Sequence, residues 1–195
     1  LNKDYYVFQS SSSLYNPEIL IIGINPGGDG HYKRDRTWEE LESDPVTLFS
    51  KPEFEVENKL KGADFMRAKL RLLFYNDVLF EKLKNTVFTN MIFFNTKSSG
   101  DVRQFEKDLK IFCRDSLHEF IEISNPRNIL FMTSSKKLLY DFGVVEIVDE
   151  DSLVRIGKLN GRKVIILPHF AARYPKNYSR ENAKFMGNKL KSLLI

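Results

Sequence analysis

The sequence is poor in residues that hold disulfides and most metal centres. Its 195 residues include a single cysteine, Cys113, and three histidines. One cysteine excludes an internal disulfide, a four-cysteine iron–sulfur cluster and a cysteine zinc site. The apolar neighbours of Cys113 indicate a small core residue on a helix face, and a chain without disulfides fits a cytoplasmic location.

Long apolar runs are also absent. No stretch approaches the roughly 18 apolar residues of a membrane span, and the polar, aromatic N-terminal residues lack the apolar core of a signal peptide. Neither sign of charge dominates, since 30 basic residues face 26 acidic ones for a net charge of +4. The sequence therefore predicts no membrane partner. Its mild positive charge favours an anionic partner such as nucleic acid, with a mixed solvated surface as the alternative.

Aromatic and aliphatic residues are plentiful. Apolar residues make up 42% of the chain, including 16 Phe and 8 Tyr. A chain of this length buries roughly 70% of its unfolded surface and needs no covalent staple. There is no internal repeat and no composition typical of a linker, so we predict one domain over residues 1–195.

One stretch organises the chain. Residues 19–24 are almost all aliphatic, which is typical of a strand buried on both faces, and residues 25–30 bring one proline and three glycines. Such a loop turns sharply and lets a ligand approach the backbone. Because ligands of open α/β sheets bind where parallel strands end, Asn25 is the first candidate site residue. A tight strand-to-helix turn without chemistry is the alternative.

The glycine loop matches neither of the common phosphate-binding patterns. No Gly-Lys-Ser/Thr follows Gly23 at the spacing of a P-loop, and the G-x-G-x-x-G dinucleotide pattern is absent. Phosphate binding by backbone amides therefore stays open without being specific.

The order of apolar patterns predicts alternating strands and helices. Further strands are predicted at 86–94, 128–132, 144–148, 153–159 and 163–167, and helices at 53–74, 78–83, 101–121, 135–142 and 179–194. Asn160-Gly161 predicts a hairpin turn. We therefore predict an α/β fold with three α/β/α layers and a mostly parallel central sheet.

Polar side chains end or follow three of the predicted core strands. They are Asn25, Asn90 and His169. In a parallel sheet these residues converge at one edge, where two carboxamides and an imidazole can bind the rim of a planar ring. The alternative for Asn90 is an amide that hydrogen-bonds neighbouring backbone.

These motifs resemble those of the uracil-DNA glycosylase superfamily. Residues 23–27, Gly-Ile-Asn-Pro-Gly, are similar to its first motif in the Asn form of the mismatch-specific and single-strand-selective branches. Residues 87–92, Val-Phe-Thr-Asn-Met-Ile, are similar to its middle strand. Residues 168–173, Pro-His-Phe-Ala-Ala-Arg, occupy the place of its late His-Pro-Ser motif.

The resemblance implies a monofunctional N-glycosidase of DNA repair that flips uracil or a related damaged base out of DNA and hydrolyses the glycosidic bond. Asn25 would position the attacking water. Asn90 would read N3–H and O4 of the uracil. His169 would donate to O2 and stabilise the departing anion.

The resemblance also implies further contacts. Base binding would involve Gly27 and Gly28 through their backbone amides, with Phe65, Tyr32 or Trp38 stacking on the ring. DNA binding would involve Arg173, Tyr174, Lys97 and Ser98. The partner would be DNA, single-stranded or duplex, and the protein would be a monomer without cofactor or metal.

The late motif departs from the family pattern. His169 is followed by Phe170 and Ala171 where the family has Pro and Ser. Two alternatives therefore stay open: a nucleic-acid or base-binding module with weak or no catalysis on the same fold, and an unrelated α/β enzyme that acts on a small phosphorylated or nucleotide substrate.

Overall fold

The computed structural model describes residues 9–10, 14–25, 69–70, 72–94, 106–151, 153–169 and 179–194. Within them a seven-stranded sheet has the order β1-β3-β2-β4-β7-β6-β5. Its strands are β1 (Gln9–Ser10), β2 (Ile19–Gly23), β3 (Thr86–Asn90), β4 (Asn128–Met132), β5 (Val144–Asp149), β6 (Arg155–Leu159) and β7 (Arg162–Leu167).

The four central strands, β3, β2, β4 and β7, are parallel. All five residues of β4 are buried, as are the first four of β2. Such continuous burial is expected where both faces of a parallel sheet are covered, because no side chain then faces water. The predicted α/β class with a parallel centre is confirmed.

Antiparallel strands flank this centre. β1 pairs with β3 at one edge, and β7, β6 and β5 form a meander at the other. Asn160 and Gly161 join β6 to β7 with φ of 49° and 78°, so the predicted hairpin turn is confirmed. The β5–β6 register shifts between Val145 and Val148, next to Glu146 at a φ of 51°.

Helices cover both faces of the sheet. They are α1 (Asp77–Lys84), α2 (Lys107–Ser124), α3 (Lys136–Asp141) and α4 (Arg180–Leu193). The first apolar cluster joins one sheet face to α1, α4 and residues 70 and 72–74. The second cluster joins the other face to α2 and α3. The described helices and the sheet thus form three layers.

Side-chain caps fix three of the helix starts. Asn76 Oδ1 accepts the amide of Leu79 at 2.9 Å at the start of α1. The Ser135 and Ser179 hydroxyls do the same for α3 and α4 at 3.3 and 3.2 Å. Each cap satisfies an amide that has no partner inside the helix, worth about 1 kcal/mol.

Glu18 joins three elements at the amino edge of the sheet. Its carboxylate lies 3.1 Å from Lys82 Nζ on α1 and 2.8 Å from an Arg127 guanidinium nitrogen just before β4. Its backbone carbonyl accepts the side-chain amide of Asn128 at 2.9 Å. Since Glu18 directly precedes β2, these contacts fix where the central strand enters the sheet.

Two predicted boundaries were wrong. The long amphipathic helix begins at Lys107 and not at Asp101, because the preceding residue, Glu106, has an extended ψ of 147°. β3 ends at Asn90 and not at Phe94. Met91 and Ile92 are consecutive yet both buried in the second cluster, which breaks the alternation that a strand requires.

Two other predictions are tested only in part. Of the helix expected over 53–74, residues 69, 70, 72 and 73 are described and are helical, whereas 51–68 lie outside the described residues. Across the described residues, no helix has both the length and the apolar character needed to traverse a bilayer.

Candidate functional site

The central strands end in register. Ile22 is paired with Thr89 on one side and with Phe131 on the other, and Phe131 is paired in turn with Ile166. Counting from that common level, Asn90 is one residue further along β3. Asn25 and His169 are each three residues further along their own chains. All three predicted residues therefore lie at the carboxyl edge of the sheet.

Strand register defines the sheet face on which Asn90 lies. Phe88 packs against the first cluster, and Asn90 follows it by two residues, which is the repeat of one strand face. Leu167 belongs to the same cluster, and His169 follows it by two residues. Gly23 pairs with Asn90, and Asn25 follows Gly23 by two. Asn90 therefore lies on the α1 and α4 side of the sheet, whereas Asn25 and His169 follow the ends of β2 and β7, beyond which the strand repeat no longer defines a face.

Gly23 makes room for the Asn90 carboxamide. A Cβ built on Gly23 would lie 2.5 Å from Asn90 Oδ1, closer than real Cβ contacts come. Asn90 therefore leans across the bare backbone of β2, towards the strand from which Asn25 follows. Within the described residues, no hydrogen bond is made by the Asn90 side-chain amide, whose NH₂ group can donate and whose Oδ1 can accept.

Backbone hydrogen bonds extend the β2–β3 pairing beyond the strand ends. The Met91 amide donates to the Gly23 carbonyl and the Ile92 amide donates to the Ile24 carbonyl, both at 2.9 Å. These bonds reach the residue before Asn25. They hold the backbone that follows Asn90 against the backbone that follows β2. A recognition site needs rigid support of this kind.

His169 is the one titratable group among the three. Burial lowers the pKa of its imidazole below the usual value, because desolvation disfavours the charged ring. The ring is therefore neutral at physiological pH and carries one N–H donor and one acceptor nitrogen. Pro168 before it is buried at the end of β7.

One strand separates Asn25 from His169. β4 lies between β2 and β7. The strands β2 and β7, which Asn25 and His169 follow, are therefore about 10 Å apart, or two strand spacings. Thr133, which follows β4, is fully buried below this gap, and its hydroxyl accepts the Ser135 amide at 3.2 Å.

Arg155, on β6, contacts the segment that follows β4. No motif of the sequence indicated this residue. Its guanidinium donates to the Ser134 carbonyl at 3.2 Å and to Asp149 Oδ1 at 2.6 Å. Lys136 also contacts that carboxylate, at 3.3 Å. Hydrogen bonds from Arg155 and Lys136 hold the pKa of Asp149 below its usual value. The contact with Asp149 follows from the β5–β6 pairing, in which Arg155 lies opposite Asp149, and sequence spacing does not define that register.

The other predicted site residues lie outside the described residues. This holds for the loop candidates Gly27, Gly28 and Tyr32, for Trp38 and Phe65, and for the proposed DNA contacts Lys97, Ser98, Arg173 and Tyr174. Among the residues that the structure does describe, no group of three His, Cys, Asp or Glu side chains could hold a metal ion.

Comparison with known proteins does not assign this chain to a family. Neither a scan against protein-family models nor a search of curated proteins found a match.

Proposed function

We propose that this protein is a uracil-DNA-glycosylase-like hydrolase that removes uracil or a related damaged base from DNA. The observation that carries the proposal is the shared carboxyl edge of the sheet at which Asn25, Asn90 and His169 lie, at the ends of three parallel strands. Supporting it are the sequence motifs around these residues, which resemble the three motifs of that superfamily.

The proposed chemistry divides between recognition and departure of the base. The Asn90 carboxamide donates to uracil O4 through its NH₂ group and accepts N3–H through Oδ1, a pairing that cytosine cannot match. The neutral His169 imidazole donates to O2. Negative charge develops there as the bond between N1 and C1′ breaks, and such a donor is worth about 3–4 kcal/mol in the transition state.

Asn25 holds the water that attacks C1′. A carboxamide orients that water through a hydrogen bond but is no base, so the proton is lost to solvent after attack. General-base catalysis typically contributes about 100-fold or more, and this site lacks it at position 25. The proposed enzyme is therefore slower than one with a carboxylate there.

A base-binding module without catalysis is the second candidate. Two sequence observations favour it: the carboxamide at position 25, and Phe170 with Ala171 in place of the Pro and Ser of the late motif. Such a module would keep recognition by Asn90 and lose bond cleavage.

A labelled oligonucleotide separates the two candidates. The full chain is incubated with single-stranded uracil DNA and with a U·G duplex, and abasic sites are then cleaved with alkali. We expect scission that falls by about 100-fold in Asn25→Ala and in His169→Ala. Retention of the uracil strand without scission supports the binding module, and neither scission nor binding contradicts both.

His118→Gln is the matched control for His169. The His118 ring donates Nε2–H to the Phe142 carbonyl at 2.9 Å and joins α2 to the end of α3 on the other face of the sheet. Its loss should reduce stability slightly and leave scission per folded molecule unchanged. Equal loss of scission in both variants would contradict the role given to His169.

A further inference from the structure

A cavity lies on the opposite face of the sheet from Asn90. Its volume is about 320 Å³, within the range of small-molecule sites. One wall is the carboxyl-terminal half of α2, and the others are residues 14–15 and Phe93. Three of its lining residues, Leu14, Phe93 and Phe120, belong to or pack against the second cluster.

The α2 wall is one stripe of the helix. Glu119, Phe120, Ile123 and Ser124 follow the spacing that keeps residues on one face. The Asn16 amide donates to the Ser124 carbonyl at 2.7 Å, and this bond holds the segment that carries Tyr15 against the helix end. The cavity is thus built between two tied elements.

Ser124 contributes an unsatisfied hydroxyl. The residue is 1% exposed, and among the residues that the structure describes its Oγ has no hydrogen-bond partner. A buried hydroxyl without a partner is uncommon in folded proteins and is costly, so it calls for an explanation. A ligand in the cavity that donates a hydrogen bond to Ser124 Oγ would explain this hydroxyl.

Glu119 contributes a negative charge at the rim. The side chain is exposed, and within the described part of the chain no cation pairs with its carboxylate. The rings of Tyr15, Phe93 and Phe120 line the same cavity as this charge and the Ser124 hydroxyl. Aromatic faces attract cations as well as flat apolar groups.

We propose that this cavity binds a small protonated aromatic amine. The ring lies among Tyr15, Phe93 and Phe120, a ring N–H donates to Ser124 Oγ, and the ammonium group lies near Glu119. The cavity shares no residue with the strand-end site. This proposal is therefore independent of the proposed hydrolase activity.

Titration of the ¹⁵N-labelled full chain with tryptamine tests the proposal, followed by amide shifts in an NMR spectrum. Tryptophol and indole-3-acetate share the ring system and side-chain skeleton and carry a neutral and a negative group. We expect shifts confined to residues 14–16, 93 and 116–124, with tryptamine binding tightest and indole-3-acetate weakest. Equal affinity for tryptamine and indole-3-acetate, or the absence of shifts at these residues, would overturn the proposal.

Three variants examine the individual contacts. Glu119→Gln should weaken tryptamine by about three- to fivefold and leave tryptophol unchanged, whereas Glu122→Gln, a neighbouring exposed carboxylate off the stripe, should change neither. Ser124→Ala should weaken both ligands without lowering the thermal midpoint of the free protein, since it removes an unpaired group. A Ser124→Ala protein that binds both as the parent does would refute the floor contact.

Discussion

Gly23→Ala should separate activity from stability, because this glycine contacts a proposed recognition side chain and nothing else closely. The new Cβ would lie 2.5 Å from Asn90 Oδ1, and its next nearest atom is the Asn90 Cγ at 3.6 Å. An ordinary contact needs at least 3.4 Å. The Asn90 carboxamide must therefore move by about 1 Å, since Gly23 is the last residue of β2, whose backbone pairs with β3 and β4.

The expected change in unfolding free energy is small, and the expected change in reaction rate is large. An off-rotamer Asn90 costs about 0.5–1.5 kcal/mol. Replacing a strand glycine by alanine recovers about 0.5–1 kcal/mol. The net change in unfolding free energy is thus within about 1 kcal/mol, whereas a 1 Å misplacement of a recognition group costs about 100-fold in rate.

Two measurements test this reasoning. Guanidinium titration gives the unfolding free energy, and single-turnover scission of uracil DNA gives the rate per folded molecule. In an Asn90→Ala background the added methyl group has no carboxamide to displace. There Gly23→Ala should be neutral or stabilising and should cause no further loss of rate.

Gly161→Ala is the control for the glycine substitution itself. This residue has a φ of 78° and no atom within 4 Å of a built Cβ, so alanine brings backbone strain alone, of about 1 kcal/mol. Scission should persist. Full activity in Gly23→Ala, or additive losses in the double variant, would refute a displacement of Asn90.

The remaining predictions concern pH and packing. Because burial lowers the pKa of His169, the unfolded chain binds this proton more readily than the folded protein. The unfolding free energy should therefore fall as pH drops below about 6.5, and His169→Gln should flatten that part of a pH-stability curve. Glu18→Gln breaks two ion pairs of a carboxylate that is 20% exposed and should cost about 1 kcal/mol in urea titration. Its control, Glu146→Gln, breaks an exposed pair with Lys158 and should cost almost nothing, so equal costs would contradict the difference. Gly187→Ala adds a methyl group against the Leu73 carbonyl and the Tyr75 ring and should cost about 2 kcal/mol, whereas a rise in thermal midpoint would show that α4 can shift.

Features encoded by neighbouring residues could be predicted from the sequence. The turn at Asn160 and Gly161 depends on the backbone preferences of two adjacent residues, and it is confirmed. The buried strands β2 and β4 were recognisable because continuous aliphatic runs bounded by polar residues suit a sheet covered on both faces.

Features set by pairing between distant segments could not be predicted in detail. The edge shared by Asn25, Asn90 and His169 followed from parallel topology. The contact between Asn90 and Gly23 needs the register of β2 against β3, which no local pattern defines. The unpaired Ser124 hydroxyl likewise depends on how α2 packs, because helical spacing identifies a face and not the groups opposite it.

The bulged outer strand has a consequence for self-assembly. Within the described part of the chain, β5 pairs with β6 on one side only, and Val145 and Val148 on it are exposed. A flat strand of that kind invites another chain to extend the sheet and can seed aggregates. The left-handed backbone at Glu146 interrupts the outer row of amides and carbonyls, so an incoming strand finds no continuous partner. This one residue thus protects the exposed border of the sheet from edge-to-edge growth.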